Sequence, residues 1–70
     1  MEARELGRAL SRFLAGLGPL ERDIFLCRYW YLAGTEEVCR RTGFSPGRVR
    51  VTLHRTRVKL RNYLKEEELL

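Results

Sequence analysis

The sequence predicts an all-α domain of four helices, in which a short third helix and a long fourth one meet across a glycine turn. Three observations predict it. Apolar or small residues recur at helical spacing in Val49, Leu53, Thr56, Leu60 and Leu64, as a single buried helical face requires. Gly16, Gly18-Pro19, Ala33-Gly34 and Thr42-Gly43-Phe44 punctuate the chain where helices stop or start. Seventy residues, 44% hydrophobic and 33% charged, make one mostly helical globule, near the lower size limit for folding without disulfides or metals.

The first helix is expected over residues 2–17. Leu6, Leu10, Phe13, Leu14 and Leu17 share a face, and Glu5, Arg8, Ser11 and Arg12 point outward. Arg4, Arg8 and Arg12 form a row that is either a solvated face or a secondary phosphate contact. Gly18-Pro19 opens the second helix, expected over 19–32, because proline suits the first turn and Glu21 and Asp23 complement the helix dipole. Leu20, Ile24, Cys27 and Tyr31 line one side, Leu26 and Trp30 another, with Phe25 between. A domain this small cannot easily cover every side of such a helix. Either the neighbouring helices cover it, or a patch around Leu26, Tyr29 and Trp30 docks a protein partner. Arg28 either bridges to an acid such as Glu37 or extends into solvent.

The third helix, 35–42, has acids in its first turn and Gly43 as a left-handed stop. Cys39 is small enough for a close helix crossing, with Val38 and Phe44 closing the core. The fourth, 45–66, starts at Ser45 as N-cap with Pro46 in the first helical position. A short helix, a glycine turn and a capped basic helix make a helix-turn-helix. The last helix ends among Glu66, Glu67 and Glu68, where the dipole disfavours acids, so fraying is expected.

Charge is distributed unevenly. Residues 1–39 hold five basic and six acidic side chains, whereas residues 40–65 hold nine basic and none acidic. At ~100° per residue, Arg48, Arg55 and Lys59 fall on one flank of the last helix and Arg50, Arg57 and Arg61 on the other. Val51, His54 and Val58 lie between. An acid-free cationic stretch repels itself without a polyanion, and this one suits a nucleic-acid groove with phosphates on both sides. Cys27 and Cys39 lack CxxC spacing and a second pair, and the single histidine is distant. Buried free thiols are expected, with no metal and no cofactor. With no long apolar run and no leader pattern, the expected setting is cytoplasmic, away from membranes. His54 has neither carboxylate nor nucleophile at helical spacing, so an enzyme is not expected. Packing or a polar contact to DNA is its expected role.

A set of spaced residues along the chain carries a family likeness. Leu14, Leu17, Pro19, Arg22, Phe25, Arg28-Tyr29, Glu37-Val38-Cys39, Gly43-Phe44-Ser45, Val49-Arg50, Leu53, His54-Arg55-Thr56-Arg57, Leu60-Arg61 and Leu64 together resemble region four of bacterial RNA polymerase sigma factors. The extracytoplasmic-function group is the most similar, over about residues 10 to 65. The resemblance implies a domain that reads the minus-thirty-five promoter element in the major groove and docks on the β flap of the RNA polymerase core. An anti-sigma protein is a further expected partner.

Carried over residue by residue, Ser45, Arg48, Arg50, Val51 and His54 resemble the base-reading and nearby contacts. Arg55 and Arg57 resemble the phosphate-contacting pair, to which charge placement adds Lys59 and Arg61. Glu37 matches the acidic position of the first motif helix. Cys39 stands where alanine is usual and Thr42 where leucine is, the latter trimming the core; Gly47 loosens the first turn of the last helix. The domain that melts promoter DNA is lacking, so the expectation is an excised domain or a short protein with only the upstream-reading half. Two other readings stay open: the helix-turn-helix domain of a response regulator or small repressor, and a polymerase or anti-sigma interaction module.

Overall fold

The computed structural model describes residues 3–70 and is organised around its last helix. In chain order the helices are α1 (Ala3–Gly16), α2 (Pro19–Tyr29), α3 (Thr35–Thr42) and α4 (Pro46–Glu66), with no strand among the described residues. The 21 residues of α4 span about 32 Å at ~1.5 Å each, close to the 36 Å long axis of the molecule. Its N-terminal half packs with α2 and α3, and α1 lies against its C-terminal half.

Local chemistry sets each boundary. Ser45 Oγ accepts the Arg48 N–H at 3.2 Å, which caps α4 just ahead of Pro46. Gly43 takes φ 77 and donates its N–H to Cys39 O at 2.8 Å, ending α3 where expected. Thr42 does more than trim the core. Its hydroxyl donates to Val38 O at 2.8 Å and accepts the Phe44 N–H at 3.2 Å, so a turn amide that the helices leave unpaired finds a partner. A carbonyl of the last turn of α1 and one just beyond it find partners further along the chain: Arg22 donates from Nε to Leu14 O at 3.0 Å and from its terminal nitrogen to Leu17 O at 3.1 Å. A cation from α2 thus caps a helix with no basic residue in its own last turn.

The main core is Ile24 and Cys27 of α2, Val38 of α3, and Val49 and Leu53 of α4, with Ala33, Cys39 and Phe44 packed on it. Thr56 is also buried, its hydroxyl donating to Thr52 O at 2.8 Å, so no polar atom is stranded there. On α1 the buried side is Ala9, Phe13 and Leu17, while Leu10 and Leu14 are only half-buried. The Phe13 and Tyr63 rings, 5.6 Å apart, join α1 to the far end of α4. Both cysteines are free thiols, Cys27 buried and Cys39 half-buried.

Two expectations need correction, and residue 2 lies outside the described residues. First, α2 stops at Tyr29, short of residue 32. Trp30 and Tyr31 both donate to Leu26 O, Leu32 takes φ 55, and the Ala33 N–H returns to Cys27 O at 2.9 Å. That reversal brings Ala33 onto the core at the cost of a left-handed leucine, a conformation that sequence reading assigns to glycine. Leu20 and Tyr31, on the side of α2 that carries the buried Ile24 and Cys27, are exposed. Arg28 is exposed, which agrees with the solvent-facing alternative, its guanidinium carbon 6.0 Å from the Tyr29 ring centroid, and Glu37 pairs with Arg40 and Arg41. Second, the C-terminus is closed rather than frayed. Glu68 takes φ 58, its N–H bonds to Lys65 O, the Leu69 N–H bonds to Leu64 O at 2.8 Å, and the Leu69 side chain is buried. This is the paired 5→2 and 6→1 bonding of a left-handed helix cap.

Candidate nucleic-acid interface

Helical spacing along α4 places Arg50, Arg57 and Arg61 on one edge and Arg48, Arg55 and Lys59 on the other, and all six are exposed. Between the edges Val51 and Val58 are about half exposed, at 49% and 45%, and His54 is exposed. Packing is therefore not the role of His54. Ser45 is exposed at the tip, with its hydroxyl occupied by the cap. The structure brings together on one outward arc all nine residues singled out from the sequence.

Their charges are not equivalent. Lys59 Nζ is bound to Glu21 of α2, 3.0 and 3.3 Å from its two carboxylate oxygens. Arg40 and Arg41 on α3 share Glu37, and Arg41 also reaches Cys27 Sγ at 3.9 Å. Hydrogen bonding and charge from Arg40, then the bond from Arg41, hold the Glu37 carboxyl below the usual carboxylate range. Donating to Glu37 in turn keeps Arg41 more firmly protonated. Arg48, Arg50, Arg55, Arg57 and Arg61 pair with no acid among the described residues. Arg48 alone of these is stacked, its guanidinium carbon 3.7 Å from the Phe44 ring centroid. The i,i+4 spacing of Phe44 and Arg48 across the cap was a sequence signal for that contact; nothing local announced Glu21 beside Lys59.

Beside the cationic arc lies an apolar groove of about 650 Å³ between α1, α2 and α4, lined by Leu10, Leu14, Phe25, Leu26, Trp30, Leu60 and their neighbours, with Arg57 at its margin. Trp30 is 76% exposed, and Tyr31 and Leu32 continue the uncovered apolar surface. The neighbouring helices thus leave this side of α2 partly uncovered. No group of three His, Cys, Asp or Glu residues converges as a metal site among the described residues. No helix among them is long and apolar enough to cross a membrane.

A family model described as "Sigma-70, region 4" matches residues 7–60, from α1 through most of α4. The chain belongs to that family. Proteins named RNA polymerase sigma-E factor are similar to this region 4 chain: that of Streptomyces avermitilis is 37% identical over 60 residues, covering 86% of this chain and 34% of the relative. The protein of that name from Streptomyces coelicolor is 38% identical with the same coverage, and that from Streptomyces antibioticus is 38% identical over 53 residues, covering 76% and 29%. The chain thus spans about a third of the length of these relatives. No solved structure matches it significantly. The resemblance to sigma region four is borne out, and with it the all-α helix-turn-helix fold.

Proposed function

We propose that this region 4 domain is the upstream-reading part of a sigma factor: it lays α4 in the major groove of the minus-thirty-five promoter element while docked on RNA polymerase. The observation that carries the reading is the outward arc of α4, where unpaired arginines flank Val51 and His54 and no acid intervenes. Arg50, Arg55, Arg57 and Arg61 supply phosphate contacts and most of the affinity, each neutralised phosphate steepening the dependence of log K on log salt by about 0.9. Arg48 and Val51, near the helix N-terminus, face base edges, Val51 suiting a thymine methyl. Lys59 serves the same edge once it leaves Glu21.

Docking on the polymerase core, through the β flap, is assigned to the groove around Trp30. Its apolar lining and the exposed Tyr31 and Leu32 support a protein partner, and an anti-sigma protein would compete for the same surface. The setting is cytoplasmic, and the activity is binding rather than catalysis. A second reading, an interaction module whose basic face is incidental, draws on the same groove.

Selection from a random duplex pool, read alongside binding to polymerase core, tests both. A sequence consensus with steep salt dependence is expected. Binding to core with no measurable DNA affinity at low salt would favour the interaction module.

A further inference from the structure

Arg48 differs from the other unpaired arginines of α4 in what lies beneath it. Its guanidinium carbon sits 3.7 Å over the Phe44 ring, and its backbone N–H is tied to Ser45 Oγ at 3.2 Å. The ring is itself anchored: Phe44 is half-buried against the Ile24, Val38 and Val49 core, and Thr42 Oγ1 accepts its N–H at 3.2 Å. A guanidinium laid on a fixed ring has a fixed plane, and stacking uses its face while leaving its in-plane N–H donors for a ligand. No acid among the described residues takes those donors.

We propose that Phe44 is a positioning residue that orients Arg48 as a fork for a guanine edge, making Arg48 a specificity-determining side chain; the proposal rests on the DNA-reading function above. A phosphate contact needs only a cation nearby, whereas paired bonds to guanine O6 and N7 need a set plane and direction. Arginine ordinarily loses rotamer freedom when it forms such bonds, and a stacked side chain has already lost it. Position agrees, because Arg48 lies in the first turn of α4, the part of a recognition helix that meets base edges. The remaining arginines have no ring beneath them and are suited to the phosphates along the groove walls.

The test uses the 70-residue chain and the duplex it selects from a random pool, with each single-base variant of that duplex, measured by fluorescence anisotropy over a salt series. At one guanine position, Arg48→Lys and Phe44→Leu should each lower discrimination about tenfold, with other positions and the salt slope unchanged. Phe44→Tyr keeps the ring and should behave as wild type, and Phe44→Leu combined with Arg48→Lys should be no worse than Arg48→Lys alone. Circular dichroism verifies that each variant is folded, and Arg48→Lys leaves the core untouched should Phe44→Leu not fold. A uniform loss across all duplexes in Arg48→Lys would overturn the proposal by showing a phosphate contact. Additive losses in the double variant would overturn it by reducing Phe44 to packing. A wild-type chain that selects no sequence would instead bring down the DNA-reading function itself.

Discussion

Lys59 of α4 and Glu21 of α2, 38 residues apart, form an ion pair with Nζ 3.0 Å from a carboxylate oxygen. Both side chains are partly exposed, so the pair contributes only ~0–1 kcal/mol to stability. Its larger consequence is for charge: one cation of the α4 arc is already engaged within the protein.

Glu21→Gln should therefore leave unfolding within ~1 kcal/mol of wild type while strengthening DNA binding at low salt. With Lys59 released, the slope of log K against log salt should steepen by up to about 0.9. Anisotropy titrations from low to high salt check this; an unchanged slope would mean that Lys59 never reaches a phosphate.

Thr42→Val exchanges a hydroxyl for a methyl of the same shape and makes the turn more apolar. Because the hydroxyl both caps Val38 O and accepts the Phe44 N–H, the exchange should destabilise the domain by ~1–2 kcal/mol. Thr42→Ser preserves both bonds and should cost less. Urea unfolding of the two variants decides; a Val variant as stable as wild type would show that water replaces the hydroxyl without loss.

Glu68→Gly should stabilise the domain by ~0.5–1 kcal/mol. Glu68 holds φ 58 just beyond α4, where a side chain is strained and an acid faces the negative end of the helix dipole. A rise in thermal midpoint, with Leu69 still docked, is the expected result.

The pH dependence has a definite sign. The Glu37 carboxyl is lowered in the folded chain, chiefly by hydrogen bonding to Arg40, so in acid the unfolded chain takes up that proton first. Its stabilising contribution is complete above the ordinary carboxylate range and disappears as pH falls through the folded value. The difference in thermal midpoint between wild type and Glu37→Gln should thus be present at neutral pH and shrink in acid. A difference constant down to strong acid would assign the effect to something other than this ionisation.

Much of the fold was legible because the signals are local. Ser45-Pro46 and Gly43 mark helix ends by backbone geometry alone, and the Val49, Leu53, Thr56 face follows from helical periodicity. The outward arc was legible too, since a helix whose buried face is known has its exposed face determined. The late boundary drawn for α2 has a physical reason: the left-handed position fell on Leu32 rather than on glycine, and only the pull of Ala33 onto the core explains it.

By itself the sequence determined four helices, the helix-turn-helix order and a cationic face on the last helix, because capping, turn chemistry and periodicity act between near neighbours. Tertiary structure decided that Lys59 is already engaged by Glu21, that Arg22 closes α1, and that Trp30 stays uncovered beside an open groove. Those outcomes depend on groups carried by different helices, and such proximity exists only after the helices have packed.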